Sequence, residues 1–172
     1  MILTGTEIEK QVINNKIIIS PFDKSRLNPN SYNFQLDNKL LIYKCENLDP
    51  YSDNSYDIIT IPESGYLLKP NELYLGNTIE KMGSEYYVPM ICARSSIGRL
   101  GLFINITAPL GDIGFIGQWT LQLAATQPII VYPSMQIGQI MFWAVDGKIN
   151  LYKGKYQNSS GPQYSKSYHD KS

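Results

Sequence analysis

Short apolar runs alternate with turn residues through most of this chain, between residues 32 and 145. The runs are rich in β-branched and aromatic residues and are separated by Gly, Pro and Asn, a pattern typical of strands. The predicted strands are Tyr32–Leu36, Lys39–Tyr43, Asp57–Ile61, Tyr66–Leu68, Leu73–Thr78, Tyr87–Cys92, Leu102–Ile106, Trp119–Ala124, Ile129–Tyr132 and Gln139–Val145. Many short strands at this spacing indicate an all-β sandwich or barrel.

The first residues of the chain follow a helical pattern instead. Thr4 and Glu7 have the spacing of a capping box, in which each side chain can satisfy the other residue's free backbone N–H. The pattern predicts one helix over residues 4–14. A short strand at Lys16–Ser20 and a turn-rich segment at 23–31 follow it.

A polar segment, RSSIGRLG at residues 94–101, interrupts the strand pattern. Ser95 or Ser96 is predicted to cap a short helical turn there, and Gly101 to end it. The free N–H groups and the dipole of such a turn attract anions, and Arg94 adds a positive charge beside them. The segment therefore predicts an anion-binding site.

The composition is that of one globular domain, with 172 residues, 43% hydrophobic and 17% charged. Lys plus Arg (15) balances Asp plus Glu (15), which argues against a broad nucleic-acid or membrane surface. No apolar run approaches the roughly 20 residues of a membrane span, and the N-terminus lacks a signal-peptide pattern. We expect a cytoplasmic protein without nucleic-acid or membrane partners, in a host cytoplasm if the abundance of Ile, Asn, Lys and Tyr reflects a viral gene.

The few metal-binding residue types exclude several chemistries. Cys45 and Cys92 allow one disulfide, but two reduced thiols are the simpler interpretation. Zinc nucleobase deaminases need a His/Cys/Cys or three-Cys set, whereas the single histidine here, His169, lies in a polar tail. We therefore predict no zinc site and no Ser-His-Asp triad. The chain has no Walker or dinucleotide-binding glycine pattern either.

The C-terminal segment differs in composition from the rest. Residues 152–172 are polar and rich in Tyr, Ser, Lys and Gly, so they cannot build a core. The predicted organisation is a single β domain at 1–151 and a tail at 152–172. The tail is expected to be either disordered or ordered by a ligand or a neighbouring subunit.

Segments along the whole chain resemble, in order, the dCTP deaminase family, which shares a superfamily with the trimeric dUTPases. They are MILTGTEIEK, PFDKSRLNPNSYNFQL, RSSIGRLGL, TAPLGDIGFIG, WTLQL, YPSMQIGQIMF and GKYQNSSGP. The resemblance implies a distorted β-barrel or jelly-roll subunit of the dUTPase-like type, mainly β with one N-terminal helix and a short helical turn. It also implies a homotrimer with sites between subunits that bind dCTP, dUTP or dTTP. Mg²⁺ would be bound through the nucleotide phosphates and not by protein ligands.

The same resemblance gives the anion turn specific roles. Arg94, Ser95 and Ser96 would hold phosphates, and Arg99 would face the reacting region of the base and its water. Ser95 and Arg99 are accordingly predicted to be catalytic together with Gln122. The alternatives are a capped turn with a surface arginine for the first three residues and a surface cation for Arg99.

Three further residues would contact the nucleoside. Ala108 would read the base edge through its backbone carbonyl, Asp112 would accept a hydrogen bond from the sugar 3′-hydroxyl, and Phe115 would pack beneath the sugar. In the dUTPase branch the aspartate that matches Asp112 also helps to activate the water that attacks phosphorus. The alternatives are a turn residue for Asp112 and plain core for Phe115.

The tail would act as a lid. Lys155, Tyr156 and Gly161 match the family segment that folds over the nucleotide, where it adds positive charge and excludes water. The alternative is an unstructured terminus.

Gln122 stands where the family has a catalytic glutamate. Metal-independent deamination of dCTP to dUTP and ammonia needs a group that takes a proton from water and returns it to the leaving ammonia, and an amide cannot do this. Gln122 keeps the size and reach of Glu, so we expect it to leave nucleotide binding nearly intact while crippling deamination.

Several explanations of Gln122 stay open at this point. One explanation is an engineered substitution. A second is a natural residue of a dUTP diphosphatase that acts alone or combines this activity with deamination. A third is a non-catalytic nucleotide-binding or regulatory protein. A fourth possibility is an inward-pointing strand residue satisfied by its neighbours. We assign the chain to the dCTP deaminase lineage and expect a hydrolase that acts on a cyclic amidine C–N bond, with dUTP diphosphatase as the main alternative.

Overall fold

A computed structural model describes residues 1–170 of the protein, which form a mainly β structure. The helices and strands, in chain order, are α1 (Gly5–Ile13), β1 (Ile18–Ser20), β2 (Leu27–Asn28), β3 (Ser31–Gln35), β4 (Lys39–Tyr43), β5 (Tyr56–Thr60), β6 (Tyr66–Leu68), β7 (Leu73–Gly83), β8 (Tyr87–Ala93), α2 (Ser95–Gly98), β9 (Leu102–Phe103), β10 (Ile116–Ala125), β11 (Ile129–Val131) and β12 (Gln136–Ala144). Two 3-10 helices, Lys24–Arg26 and Ser167–Asp170, complete the set. The predicted fold class, mainly β with one N-terminal helix and a short helical turn, is confirmed.

The strands form three antiparallel sheets. The largest has the order β5-β4-β7-β10-β9, with β1 paired to the end of β7. A second sheet has the order β2-β3-β12-β8, and β11 pairs with β6 in a small third sheet. Large side chains from the two main sheets meet in one core, among them Tyr32, Phe34, Leu121, Leu123 and Phe142. The predicted barrel is thus built from open sheets that pack on a shared core.

Both helices begin close to their predicted positions, but their caps differ. Thr4 caps α1, and its hydroxyl accepts the Glu7 N–H at 3.4 Å, which is one half of the predicted capping box. The Glu7 carboxylate accepts from the Gln11 side chain instead. In α2 the N-cap is Arg94, which makes no side-chain capping bond. The prediction of Ser95 or Ser96 as the cap was therefore wrong, because these serines already lie inside the helical turn.

Strand β7 is longer than its predicted extent because polar residues continue it. The prediction ended at Thr78, where the sequence turns polar, but pairing with β10 and β1 continues to Gly83. Thr78 and Glu80 are fully buried in this part of the strand. Their burial is possible because both side chains find hydrogen-bond partners inside the protein.

A buried ion pair joins the two main sheets. Arg26 donates to the Glu80 carboxylate, and the side chains are 7% and 0% exposed. The other oxygen of Glu80 accepts the Gln35 N–H at 3.0 Å, so one carboxylate of β7 contacts β3 of the second sheet. Burial raises the pKa of Glu80 above its ordinary value even though the Arg26 charge opposes that shift.

Candidate active site

The candidate site is a cavity of about 570 Å³ on the outer face of β10. The loop that carries Ala108 and Asp112 forms one wall, and the loop around Pro50 forms another. The C-terminal tail covers part of the opening with Tyr156 and Ser159. The cavity wall includes five of the predicted site residues, which are Ala108, Asp112, Phe115, Gln122 and Tyr156.

Alternation along β10 places its polar side chains on the cavity face. Trp119 and Leu121 are buried against the core, whereas Gln118, Thr120 and Gln122 point the other way and line the cavity. This two-residue period is the ordinary geometry of a strand. It therefore presents a row of three polar groups along the floor of the site.

The tail occupies two positions of this row and leaves the third open. Gln118 accepts the Gly161 N–H through Oε1 at 2.7 Å. Thr120 accepts the Gln163 N–H through its hydroxyl at 3.0 Å. Gln122 lies beyond the tail contacts and faces the cavity.

Gln122 is held by the segment that leads into the loop of Ala108. Its backbone N–H donates to the Ile104 carbonyl at 2.9 Å. Its side-chain oxygen Oε1 accepts the Ile106 N–H at 3.3 Å. In the part of the chain that the structure describes, the amide nitrogen Nε2 has no protein acceptor. This bond orients the amide with Oε1 toward Ile106. It leaves Nε2 available to a ligand in the cavity that Gln122 lines.

Asn105 shapes the loop that carries Ala108. Its side-chain oxygen accepts the Ala108 N–H at 2.9 Å, and its side-chain nitrogen donates to the Ala108 carbonyl at 2.8 Å. At the other end of the loop, Gly111 donates its N–H to the Pro89 carbonyl at 2.9 Å. The Ala108 carbonyl keeps a second lone pair that is free to accept from a ligand.

Asp112 and Phe115 complete the wall next to β10. Asp112 is exposed and lines the cavity. Phe115 is half-buried and packs edge-on against Trp119, with ring centroids 5.2 Å apart, and against Tyr152 at 6.0 Å. Phe115 therefore presents an aromatic surface to the cavity from a position fixed by two other rings.

The predicted anion turn lies outside this cavity. Arg94 is half-buried and donates to the Gln136 carbonyl at 3.3 Å. Ser95, Ser96 and Arg99 on or beside α2 are exposed. The chain thus brings the predicted nucleoside residues together, while the predicted phosphate residues lie on a separate surface of the same chain.

Hydrogen bonds hold the tail to the rest of its own chain. The sequence had predicted a tail that is disordered or is ordered by a ligand or a neighbouring subunit. Backbone bonds join Tyr152 to Ile113 and Gln118 to Ser159, at 2.8 and 2.9 Å. Further along, Ser165 donates its N–H to the Tyr43 hydroxyl at 2.7 Å. These bonds order the tail without a hydrophobic core. The last two predicted tail residues, 171 and 172, lie outside the described part of the chain.

The three tail residues predicted to contact the nucleotide have different surroundings. Tyr156 lines the cavity, and Gly161 bonds Gln118 from a backbone with a φ of 73°. Lys155 forms an ion pair with Asp170 and is not part of the cavity wall. The positive charge predicted for the lid is therefore neutralised by a tail carboxylate in this arrangement.

Sequence reasoning missed Gln118 and Thr120. The predicted strand began at Trp119, so Gln118 lay outside it and the polar row was not recognised. The signal was present, because Gln118, Thr120 and Gln122 are spaced by two residues and alternate with Trp119 and Leu121.

The described residues contain neither a metal-binding cluster nor a membrane-spanning helix. Among residues 1–170, no group of three or more His, Cys, Asp and Glu side chains could hold a metal ion. Within the same residues, no helix is both long and apolar enough to cross a membrane.

Comparison with solved structures defines the class of fold. The chain resembles the 2′-deoxycytidine 5′-triphosphate deaminase from Agrobacterium tumefaciens with a TM-score of 0.68 and 18% sequence identity. The match covers 87% of this chain and 50% of that chain, so the protein spans half the length of that structure's chain. At this identity the likeness shows a shared fold.

Comparison of sequences defines the family. Residues 2–145 match the family model described as dCTP deaminase-like. The chain is 52% identical to the "dCTP deaminase, dUMP-forming" of Clostridium beijerinckii and 51% identical to the protein of that name from Cytophaga hutchinsonii. Each match extends over 171 residues, which are 99% of this chain and 98% of the relative. The chain belongs to the dCTP deaminase-like family.

Proposed function

We propose that this chain is a dCTP deaminase-type enzyme of pyrimidine deoxynucleotide metabolism that forms dUMP. Its principal reaction is hydrolysis of dUTP to dUMP and pyrophosphate, and its deamination of dCTP to dUTP and ammonia is slowed by Gln122. The observation that carries the proposal is the cavity that Gln122 and Asp112 line together beneath the tail. The name of the relatives, "dCTP deaminase, dUMP-forming", supports both reactions in one protein.

The deamination step explains why Gln122 is limiting. Water must lose a proton as its oxygen bonds to C4 of cytosine, and the amino group must gain one before the C4–N bond breaks and ammonia leaves. The Gln122 amide oxygen already accepts the Ile106 N–H, and an amide does not exchange protons near neutral pH. Loss of general acid–base help costs about 10²–10⁴ in rate.

The phosphate side of the site does not depend on Gln122. In dUTP hydrolysis a water oxygen bonds to the α-phosphorus and the bond to the pyrophosphate leaving group breaks. Asp112 is the proposed group that orients this water and takes its proton, since its exposed carboxylate lines the cavity. Phe115 supports the sugar from its fixed position between Trp119 and Tyr152.

Mg²⁺ is proposed to be bound through the substrate and not by protein ligands. No group of three metal-binding side chains occurs within residues 1–170, and Mg²⁺ bound to nucleotides is commonly held through phosphate oxygens and water. Bound in this way, Mg²⁺ would offset the charge of the triphosphate and favour departure of pyrophosphate.

A homotrimer would supply the phosphate-binding half of the site. Arg94, Ser95, Ser96 and Arg99 are proposed to reach the cavity of a neighbouring subunit, because in a single subunit they lie outside its own cavity. Three large apolar side chains near the cavity, Phe103, Ile106 and Leu110, are 51%, 54% and 66% exposed. Covering such a surface with another subunit would remove it from water.

The proposal is tested by following the two products separately. The purified chain is incubated with Mg²⁺ and either dCTP or dUTP, and ammonia and pyrophosphate are quantified in parallel. We expect pyrophosphate from dUTP and little ammonia from dCTP. In the Gln122→Glu variant, ammonia release should rise by about 10²–10⁴. The maximal rate of pyrophosphate release, measured at saturating dUTP, should stay within a few fold.

Other outcomes point to other functions. Binding of nucleotides without either product, in both the native chain and Gln122→Glu, would support a non-catalytic nucleotide-binding protein. Rapid ammonia release from the native chain would contradict the role given to Gln122. The exposed glutamine Gln127, which donates to the Leu100 carbonyl, provides the matched control Gln127→Glu.

A further inference from the structure

The orientation of the Gln122 amide has a consequence for base selection. The Ile106 N–H can only donate, so the side-chain atom that faces it at 3.3 Å must be the acceptor oxygen Oε1. Nε2 is then directed away from Ile106, and within the described part of the chain no protein group accepts from it. The cavity floor therefore presents an N–H donor where a glutamate would present an acceptor.

We infer that Gln122 makes this site selective for 4-oxo pyrimidine nucleotides over 4-amino ones. The inference rests on the proposed function, in which residue 122 faces C4 of the base. Uracil carries an oxygen at C4 and accepts the Nε2 hydrogen bond. Cytosine carries an amino group there, so two N–H donors would face each other and neither would be satisfied.

The Ile106 N–H opposes a turn of the amide that would suit cytosine. A rotation that exchanges Oε1 and Nε2 would place an NH₂ group against the Ile106 N–H, leaving that backbone donor without its partner. The backbone bond from Gln122 to the Ile104 carbonyl holds both segments at this spacing. Asn105, bonded to both backbone groups of Ala108, holds the loop that follows.

The orientation of the Gln122 amide limits the sequence-based expectation that Gln122 leaves nucleotide binding nearly intact. That expectation holds for dUTP, whose 4-oxo group gains a hydrogen bond, and not for dCTP. A lost hydrogen bond together with an unsatisfied buried donor corresponds to a preference of about tenfold or more. Gln122 would then slow deamination of dCTP and also favour binding of dUTP, from which pyrophosphate is released.

The experiment measures two affinities for each of three proteins. Calorimetry with Mg²⁺ and the α,β-imido analogues of dUTP and dCTP gives the ratio of their dissociation constants without pyrophosphate release. The native chain is compared with Gln122→Met, which keeps the length of the side chain and removes its donor. Gln127→Met serves as the control on an exposed glutamine.

We expect the native chain and Gln127→Met to bind the dUTP analogue about tenfold more tightly than the dCTP analogue. In Gln122→Met the ratio should fall to within threefold of one. If the substitution loosens the segment around Ile106, binding of both analogues should weaken together. The ratio of their dissociation constants should then not change.

Two kinds of result would overturn the inference. Equal affinities in the native chain would mean that Nε2 does not discriminate between the groups at C4, and the selectivity would be absent while the proposed function stood. A tenfold ratio that persists in Gln122→Met would assign the selectivity to other groups. If neither analogue bound the native chain, the proposed function and the inference would both fail.

Discussion

Replacing Arg26 by Met should destabilise the protein strongly, because it leaves the Glu80 carboxylate buried without its cation. Arg26 and Glu80 are 7% and 0% exposed, and Arg26 also donates to the Gln35 side chain at 2.7 Å. Breaking one partner of a buried pair costs about 3–5 kcal/mol. That is a large part of the roughly 5–15 kcal/mol by which folded domains are stable.

The exposed cation of the same segment provides a matched control. Lys24 pairs with Glu9 at 2.8 Å, but its side chain is 74% exposed. Such pairs contribute about 0–1 kcal/mol, so Lys24→Met should change stability little. The double variant Arg26→Met/Glu80→Gln should regain part of the loss, since it removes the uncompensated charge.

The loss of stability in Arg26→Met should also become smaller toward acid pH. Burial raises the pKa of Glu80 above its ordinary value of 4.5, so the protonated carboxyl is favoured in the folded state. The stabilisation that comes from protonated Glu80 in the folded protein is complete below the pKa of Glu80 in the unfolded chain. It is lost as pH rises through the pKa of Glu80 in the folded protein. Without Arg26 the pKa should rise further, so the destabilisation of Arg26→Met should shrink as the solution is acidified.

Urea denaturation followed by tryptophan fluorescence at fixed protein concentration provides the measurement, at pH 7 and at pH 5. The reasoning would be refuted if Arg26→Met lost less than about 1 kcal/mol at pH 7, as Lys24→Met should. It would also be refuted if the loss grew toward acid pH.

Three further predictions concern the site. Asp112→Asn should lower pyrophosphate release from dUTP by about 10²–10⁴ with the affinity for the imido analogue within threefold, and an unchanged rate would contradict the role of Asp112. Asn105→Ala removes both bonds to Ala108 and should raise KM for dUTP about tenfold in a folded protein, as steady-state kinetics would show; an unaltered KM would argue against a positioning role. Removing residues 152–172 should weaken binding of the triphosphate analogue about tenfold more than that of dUMP in calorimetry, whereas equal losses would exclude a lid over the phosphates.

Most strands could be predicted from local pattern because alternation of side chains is a property of the strand itself. Lys39–Tyr43 and Tyr66–Leu68 were predicted with their observed bounds. The ends of β7 and β10 were not, since Glu80 and Gln118 look like loop residues until their partners are known. Those partners, Arg26 and the tail, lie more than 40 residues away in the chain.

Local pattern along the chain was sufficient to predict the class of fold and the family. These follow from period, motif order and residue identity, which are local along the chain. Tertiary packing sets the contact between the Gln122 oxygen and the Ile106 N–H, and the hydrogen bonds of the tail to β10 of the same chain. It also decided that Asp112 shares the cavity of Gln122 while Arg94 does not. Contacts of this kind depend on which distant backbone groups packing brings within hydrogen-bond distance, and no local pattern records them.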